Sequence, residues 1–443
     1  MHKFKSIYFS ALIAFTWISE AVGLTQDQLA LTPPMGWDSY NYFASNAREK
    51  GIQGIADAMA SSGMRDAGYQ YIIIEEFWKD RDANGVLRAD SSLFPSGMKA
   101  IGDYIHSKGL KFGIYQDAGT QTCAGGPGID GHEIQDAQLF ASWGVDYLKE
   151  DYCKAPGDSA DAHRLYKKMG DALRATGRPI LFSICEWGQR KPWLWGKDAG
   201  GQMWRTTYDV QDTYYGIDDG GGAWLNALEY NVNLAPYAGP GGWNDPDMLV
   251  VGLYGKGDTR HDGENDVEYQ SQMSIWCMLA APLITSHDVR TMNQATKDIL
   301  LNPEILAIDQ DSLGKQGTRV FKSNESQVWK KELRGGDIAV CLFNQSDDSI
   351  KVVANWKDLK INGSYRVRDL WKKKDLGNFN DSLSFKLEKH ASMVFRLSNG
   401  VTSLSSKIQY PQKLRGTMLK KEFRLRRADG KLLKKSNAAL IKE

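Results

Sequence analysis

Short β-like runs alternate with helix-length segments eight times between Leu31 and Asp309, and this alternation restricts the fold more than any other feature of the chain. The segments between the runs have the apolar spacing of helices, several with a glycine at the C-terminal end. Eight such repeats in roughly 270 residues predict a (β/α)8 barrel. A doubly wound open sheet is the alternative, but no G-x-G-x-x-G turn joins the first run to its helix. The eight runs are PMGWDS, YQYIIIEEFW, LKFGIYQDAG, VDYLKEDYC, RPILFSICEW, QMWRTTYD, GGWNDPDML and APLITSHDV.

In each of the runs from the second to the eighth, polar residues follow the apolar residues. In a barrel the carboxyl ends of all strands lie around one rim, where active sites are built. A single acid at such a position is often a helix N-cap, but the repeated coincidence predicts a shared polar pocket. These residues are Glu75, Glu76, Tyr115, Asp117, Lys149, Glu150, Asp151, Glu186, Arg205, Asp209, Asp245, Asp247, His287 and Asp288.

The composition is that of a soluble globular enzyme. The chain has 443 residues, of which 42% are hydrophobic and 25% charged, which allows a large domain and a smaller one. The net charge of +1 argues against a general nucleic-acid binder. This average conceals a basic end: residues 401–443 contain 12 Lys and Arg against 3 Asp and Glu, and the remaining chain carries a net charge of −8.

Residues 1–23 have the features of a signal peptide. Lys3 and Lys5 precede the apolar stretch 7–18, and Ala21 and Gly23 supply small residues for cleavage. An uncleaved anchor is the alternative, but the stretch is short for a membrane span. We therefore expect a secreted or periplasmic protein that has no membrane contact after the signal is removed.

An exported protein can form disulfides. Of the five cysteines, Cys277 and Cys341 lie in apolar runs that are typical of buried core thiols. This leaves Cys123 and Cys153, each just beyond a β-like run, as the favoured bridge, and Cys185 is expected to stay free. The spacing of cysteines and histidines indicates no metal site.

After the predicted barrel, residues 24–308, the sequence pattern changes to the period-two alternation of β-strands with turn signals between them. It predicts a small antiparallel β domain over residues 309–398. Residues 399–443 are rich in Lys and Arg without a clear periodic face, which favours a solvated tail over a partner-binding arm.

Asp151 and Asp209 suit the two carboxylates that cleave a glycosidic bond. One such carboxylate attacks the anomeric carbon, and the other delivers a proton to the leaving oxygen. Lys149 lies two residues before Asp151, and a nearby cation favours the ionised, nucleophilic form of an acid. Asp209 follows Tyr208 and a largely uncharged stretch, which suits a proton donor.

From Leu31 to about Leu397 the chain resembles glycoside hydrolase family 27, whose best-known members are the α-galactosidases. The resemblance rests on LTPPMGWDSY, FPSGMKAIGDYIHSKGLKFGIYQDAGTQTC, ASWGVDYLKEDYC, CEWG and GGWNDPDML, which occur in the family's order. It implies a retaining enzyme with a (β/α)8 TIM barrel followed by a C-terminal antiparallel β-sandwich. It also implies that no metal or organic cofactor is needed.

The resemblance implies roles for individual residues. Asp151 falls on the family's nucleophile and Asp209 on its acid/base, while Cys123 and Cys153 match a disulfide at the edge of the pocket. Glu186 argues against an N-acetylated substrate, because the N-acetylgalactosaminidase relatives have a small residue there. The positions that match substrate-binding residues are Trp37, Glu75, Glu76, Tyr115, Cys123, Lys149, Glu186, Arg205 and Met248.

The chain departs from the family at the end of the second run. The family usually has Asp-Asp-Cys-Trp there, and its two aspartates hold the 4- and 6-hydroxyls of galactose. This chain has Glu75 and Glu76, which are each longer by about 1.5 Å, roughly one C–C bond. The cysteine is lost at Phe77 and its partner at Ser45, so this disulfide is absent at both ends.

The sequence therefore predicts a secreted exo-glycosidase that removes terminal α-D-galactosyl residues from oligo- or polysaccharides. A β-L-arabinopyranosidase with the same mechanism is the close alternative, because L-arabinopyranose is galactose without its hydroxymethyl group and suits a pocket narrowed by two glutamates. An inactive sugar-binding module is the alternative of another class, but such a module has no need of both Asp151 and Asp209.

Overall fold

The computed structural model describes residues 28–216, 221–257 and 261–399. The predicted signal peptide and, apart from Asn399, the predicted basic tail lie outside these residues. In the described part of the chain, no helix combines the length and apolar character that a membrane span requires.

Eight parallel strands form one curled sheet, as a (β/α)8 barrel requires. They are β1 (Met35–Asp38), β2 (Tyr71–Ile74), β3 (Lys111–Asp117), β4 (Tyr147–Asp151), β5 (Leu181–Ile184), β6 (Met203–Arg205), β7 (Trp243–Asp245) and β8 (Leu283–Thr285). Their order in the sheet is β7-β6-β5-β4-β3-β2-β1-β8. The segment after β7 joins the two ends of the sheet, because the Leu249 N–H donates to the Ile284 carbonyl at 2.7 Å.

The strands are short and buried on both faces. In β2 all four residues, YIII, are buried, which is typical of parallel strands covered by helices. Alternate residues along the strands point into the barrel and out toward the helices. One apolar cluster fills the interior of the sheet, and its members include Tyr71, Ile73, Tyr147, Leu181, Met203, Trp243 and Ile284.

Helices follow most of the strands. The longer ones are α1 (Glu49–Ser62), α2 (Gly97–Ser107), α3 (Glu133–Trp143), α4 (Ser159–Ala175), α5 (Trp224–Asn231), α6 (Asp266–Leu279), α7 (Gln294–Leu300) and α8 (Pro303–Asp309). The alternation is incomplete between β5 and β6, where a 3₁₀ turn, Pro192–Leu194, replaces an α-helix. Gly188, with φ of 73°, and Pro192 interrupt this connection, and both residues disfavour a continuous helix.

Residues after α8 form two antiparallel sheets, as the period-two alternation predicts. Their strands are β9 (Thr318–Lys322), β10 (Ser326–Glu332), β11 (Ile338–Asn344), β12 (Ile350–Asn355), β13 (Tyr365–Asp369), β14 (Lys374–Phe379), β15 (Ser382–Leu387) and β16 (Ser392–Asn399). Six strands pair in the order β9-β10-β11-β16-β13-β14, and β12 pairs with β15. A separate apolar cluster that includes Val340, Val352 and Phe395 lies between the sheets.

Helix α6 connects the barrel to the β domain. Its first turn has a capping box, in which Asn265 and Glu268 bond each other's backbone N–H groups. The Ser274 hydroxyl accepts from the Trp371 indole at 2.9 Å and from the Ser392 hydroxyl at 2.8 Å. The two parts of the described chain therefore meet through buried hydrogen bonds.

Candidate active site

The carboxyl ends of the strands place charged residues at one rim of the barrel, as predicted. In β4, alternation directs Lys149 and Asp151 to one face and Glu150 to the other. Glu150 is fully buried, and neither of its carboxylate oxygens has a hydrogen-bond partner among the described residues. Burial holds the pKa of Glu150 well above its usual range and thereby favours the neutral form of this side chain behind the pocket.

Lys149 and Glu75 form a buried ion pair across the pocket floor. Burial alone lowers the pKa of Lys149, but the charges of Glu75 and Asp151 outweigh it and the pKa lies well above its ordinary value. The Lys149 ammonium also lies 5.6 Å from the centre of the Tyr115 ring. The ammonium is therefore charged and fixed between two strand ends.

Asp151 is buried at the end of β4, and its Oδ1 has no hydrogen-bond partner among the described residues. Burial raises the pKa of Asp151 to about 6, while the Lys149 ammonium opposes this increase and the charges of Glu75 and Asp209 add to it. The ammonium thus favours the carboxylate as expected, although burial has the larger effect. At neutral pH this side chain is mostly an ionised carboxylate that lacks a strong hydrogen-bond donor on Oδ1.

Cys123 and Cys153 form a disulfide, which confirms the predicted bridge. Cys123 Sγ lies 3.5 Å from Asp151 Oδ2, and the Asp117 carboxylate accepts from the Cys153 N–H at 2.7 Å. The bridge therefore forms part of the wall beside Asp151. The ligand atoms of Asp117, Cys123 and Cys153 lie within 4.8 Å of one another, but sulfurs in a disulfide are not thiolate ligands for a metal. Cys185 is free and buried, as predicted.

Asp209 lies outside the barrel strands, in a two-residue strand, Asp209–Val210, that pairs with Gly221–Gly222. Its side chain is 50% exposed and its Oδ1 accepts from Arg205 Nη2 at 2.8 Å. Arg205 Nη1 contacts Asp247 Oδ1 at 2.9 Å, and both of these partners are almost fully buried. Asp209 is thus attached to the rim by a buried arginine and remains accessible from outside.

Glu75 and Glu76 directly follow β2, and both residues are buried. The Glu75 N–H donates to Ser39 Oγ at 2.9 Å, while Glu76 Oε1 accepts from the Ala124 N–H at 2.7 Å. Glu76 therefore contacts the loop that carries Cys123, whereas Glu75 faces Lys149. The two glutamates have different partners in spite of their adjacent positions.

The remaining predicted substrate residues lie near or just after the carboxyl ends of β1, β5 and β7. Trp37 is fully buried and its indole N–H donates to the His287 carbonyl at 2.7 Å. Glu186 Oε2 accepts from the Arg190 N–H at 2.6 Å, and burial raises the pKa of Glu186 to about 7. Met248 is partly buried against the apolar cluster inside the barrel.

Comparison with known proteins agrees with this geometry. The family model described as alpha galactosidase A matches residues 32–311, and that of the alpha galactosidase C-terminal beta sandwich domain matches residues 323–397. The chain belongs to the α-galactosidase family, glycoside hydrolase family 27. It is therefore a member of a family of glycoside hydrolases with the barrel and β-sandwich described above.

Individual relatives cover nearly the whole described chain. It is 42% identical over 380 residues to an α-galactosidase of Cyamopsis tetragonoloba, with 85% of this chain and 88% of the relative covered. The structure of α-galactosidase I from Mortierella vinacea has a TM-score of 0.80 and 36% identity, covering 85% of this chain and all of that one. A family 27 β-L-arabinopyranosidase from Geobacillus stearothermophilus has a TM-score of 0.75 and 26% identity, covering 85% of this chain and 99% of that one.

Asp38 is a site residue that sequence reasoning missed. It ends β1 and is almost fully buried. Burial and the charge of Glu75 hold the pKa of Asp38 well above its usual range, against the effect of Lys149. The sequence could have indicated Asp38, because it lies at the polar end of the first β-like run, where the family pattern has asparagine.

Proposed function

We propose that this protein is an exo-acting, retaining α-galactosidase. The observation that carries the proposal is the pair of contrasting carboxylates at one rim: Asp151 is buried beside an ammonium, and Asp209 is half-exposed on Arg205. The relatives named above as α-galactosidases support galactose as the sugar.

The geometry suits a double displacement. The Asp151 carboxylate attacks the anomeric carbon while Asp209 donates a proton to the glycosidic oxygen, so that the C–O bond breaks and the leaving sugar departs as an alcohol. Asp209 then removes a proton from water, which attacks the anomeric carbon and releases Asp151. Two inversions at the same carbon retain its configuration.

A cavity beside Asp209 supports an oligosaccharide leaving group. It has a volume of about 300 Å³ and its lining includes Asp209, Tyr208 and Tyr230. Both tyrosines are exposed, and the Tyr208 hydroxyl accepts from the Gln189 amide at 2.7 Å. Aromatic faces at this place are suited to contact the apolar face of a departing sugar.

A β-L-arabinopyranosidase is the second candidate. Glu75 and Glu76 are each one methylene longer than the family's usual aspartates. Unless β2 lies deeper than in those relatives, the extra length is expected to take space near the C6 hydroxymethyl group of galactose. The Geobacillus stearothermophilus relative belongs to the same family. L-Arabinopyranose lacks this group and would fit whether or not the glutamates occupy that space.

The test is incubation of the purified protein with p-nitrophenyl α-galactoside and p-nitrophenyl β-L-arabinopyranoside side by side. Release of nitrophenol from the first at the higher kcat/KM supports the proposal, and the opposite order supports the second candidate. Asp151→Ala is the control for contaminating activity. Binding of galactose without turnover of any such glycoside would identify a sugar-binding module instead.

Export to an oxidising compartment is part of the proposal. The expected signal at residues 1–23 and the disulfide between Cys123 and Cys153 support a secreted or periplasmic location. Mass spectrometry of the mature protein is expected to find an N-terminus near residue 24. A cytoplasmic protein that starts at Met1 would contradict this.

A further inference from the structure

The segment that carries Asp209 is held from the side of the β domain. We call residues 209–216 the acid/base loop. Its first part is anchored within the barrel: the Val210 N–H donates to Asp247 Oδ2 at 2.6 Å, and Asp212 accepts from the Gly255 N–H and the Tyr269 hydroxyl, both at 2.8 Å. Its last part, Tyr214 and Tyr215, contacts residues far along the chain.

His390, in the turn between β15 and β16, is the centre of these contacts. Its ring stacks on Tyr214 with centroids 3.7 Å apart and planes inclined by 17°. Its Nε2 lies 2.7 Å from the Tyr215 hydroxyl, and its Nδ1 lies 2.6 Å from Glu268 Oε1 in α6. The Glu268 carboxylate only accepts, so Nδ1–H donates to it. Asp347 Oδ1 lies 3.4 Å from Nε2, and the Asp347 carboxylate also accepts from the Tyr215 hydroxyl, so Nε2, Tyr215 and Asp347 form one polar cluster.

Burial and hydrogen bonds fix the position of His390. The residue is 2% exposed, and its carbonyl accepts from the Ser271 hydroxyl at 2.6 Å. The Tyr214 hydroxyl adds a second link to the β domain by donating to the Gln345 carbonyl at 3.3 Å. A rigid imidazole thus joins α6, the β domain and the acid/base loop.

We propose that His390 is a positioning residue, which acts through Tyr214 and Tyr215 to keep Asp209 at the glycosidic oxygen. The proposal rests on the proposed role of Asp209 as acid/base. Proton transfer requires hydrogen-bond distance between donor and acceptor, and a displacement of about 1 Å can reduce a rate by roughly 100-fold. The β domain would then contribute to catalysis without touching the sugar.

The test uses two variants. His390→Phe keeps a ring against Tyr214 and removes the polar contacts of the imidazole with Glu268, Tyr215 and Asp347. Tyr215→Phe removes a single hydroxyl on a half-exposed side chain. Each variant is assayed for kcat/KM on two substrates. The leaving group of 2,4-dinitrophenyl α-galactoside departs with little protonation, whereas that of methyl α-galactoside must be protonated. We expect a loss of about 10- to 100-fold on the methyl glycoside and a change within about twofold on the activated one.

The matched control is His106→Phe. His106 Nε2 lies 2.7 Å from Asp146 Oδ2, next to the start of β4 and thus at the opposite end of the barrel. This variant should change stability without changing the ratio of the two kcat/KM values. The melting temperature of every variant is measured to establish that the assays compare folded proteins. If His390→Phe does not fold, Tyr215→Phe still tests the proposal.

Equal losses on both glycosides, or no loss on either, would show that His390 serves only the packing of the β domain and would overturn the proposal. Asp209→Ala is measured on the same two substrates. If that variant shows no dependence on the leaving group, the role of Asp209 is wrong and the proposal about His390 fails with it. If the wild type prefers L-arabinopyranosides, the same pair of leaving groups on that sugar gives the same test.

Discussion

The two sides of the pocket are built differently. On the side of the proposed nucleophile, Lys149 and Asp151 lie on β4 and Glu75 directly follows β2. Asp151 and Glu75 are buried, and the Lys149 side chain is 14% exposed. On the side of the proposed acid/base, Asp209 lies beyond β6 on a loop, is half-exposed and accepts from Arg205, and the same loop contacts His390 through Tyr215. With these proposed roles, the nucleophile is placed by the rigid sheet, whereas the acid/base, which must meet different leaving sugars, is placed by an anchored loop.

Asp151→Ala is the strongest test of the nucleophile side. Without the carboxylate no glycosyl-enzyme can form, and we expect kcat to fall by at least about 10⁴-fold. Azide should restore part of the activity by occupying the vacated space and attacking the anomeric carbon from the same side. Product analysis by NMR would show the glycosyl azide, and residual wild-type activity without azide would contradict the assignment.

Asp209→Ala should have a smaller and selective effect. General acid catalysis contributes typically 10²- to 10⁴-fold, so we expect a loss of this order in kcat/KM on galactosides with poor leaving groups. Activated aryl galactosides should be affected far less, because their bond breaks with little protonation. Equal losses on both classes of galactoside would contradict the assignment of Asp209 as the acid/base.

Glu75→Asp combined with Glu76→Asp tests whether the second strand selects the sugar. Room for one methylene changes discrimination by about 1–3 kcal/mol, or roughly 10- to 200-fold. We expect the ratio of kcat/KM for galactoside over β-L-arabinopyranoside to rise by about this factor. The single variants show which glutamate matters, and an unchanged ratio in the double variant would refute the steric account.

In the proposed mechanism Asp151 acts as a carboxylate, so we expect the pH dependence of kcat/KM to report its ionisation. Its pKa of about 6 means that activity should be lost as the pH falls through this value. Glu75→Gln removes a negative charge that raises this pKa, and so the acidic limb should move to lower pH by about one pH unit at most. Glu76→Gln is the matched control, since Glu76 contacts the Ala124 N–H instead of Lys149. A shift to higher pH would contradict the charge arrangement.

Removal of residues 401–443 should have the smallest effect. The last described strand, β16, lies inside its sheet between β11 and β13 and ends at Asn399, so the contacts of His390 are complete without the tail. We expect a melting temperature within about 2 °C of the full chain and unchanged kcat/KM. A large decrease in either would show that the tail supports the acid/base side.

The general architecture and the gathering of charged residues at one rim could be predicted from sequence, because both depend on local patterns. Runs such as YIII and IAVCLFN, the glycines and prolines between them and the change to period two after Asp309 are properties of neighbouring residues. The polar ends of parallel strands had to meet at one rim in any barrel, which placed Asp151, Lys149 and Arg205 together.

The contacts that distinguish the two sides depended on tertiary structure. The burial of Asp38 against Glu75 and the place of Asp209 outside β6 follow from the packing and curvature of the sheet. His390 meets Tyr215 across 175 residues, and no local pattern connects them. Secondary structure is encoded by short-range periodicity, whereas the partner of a buried polar group is decided only when distant segments pack together.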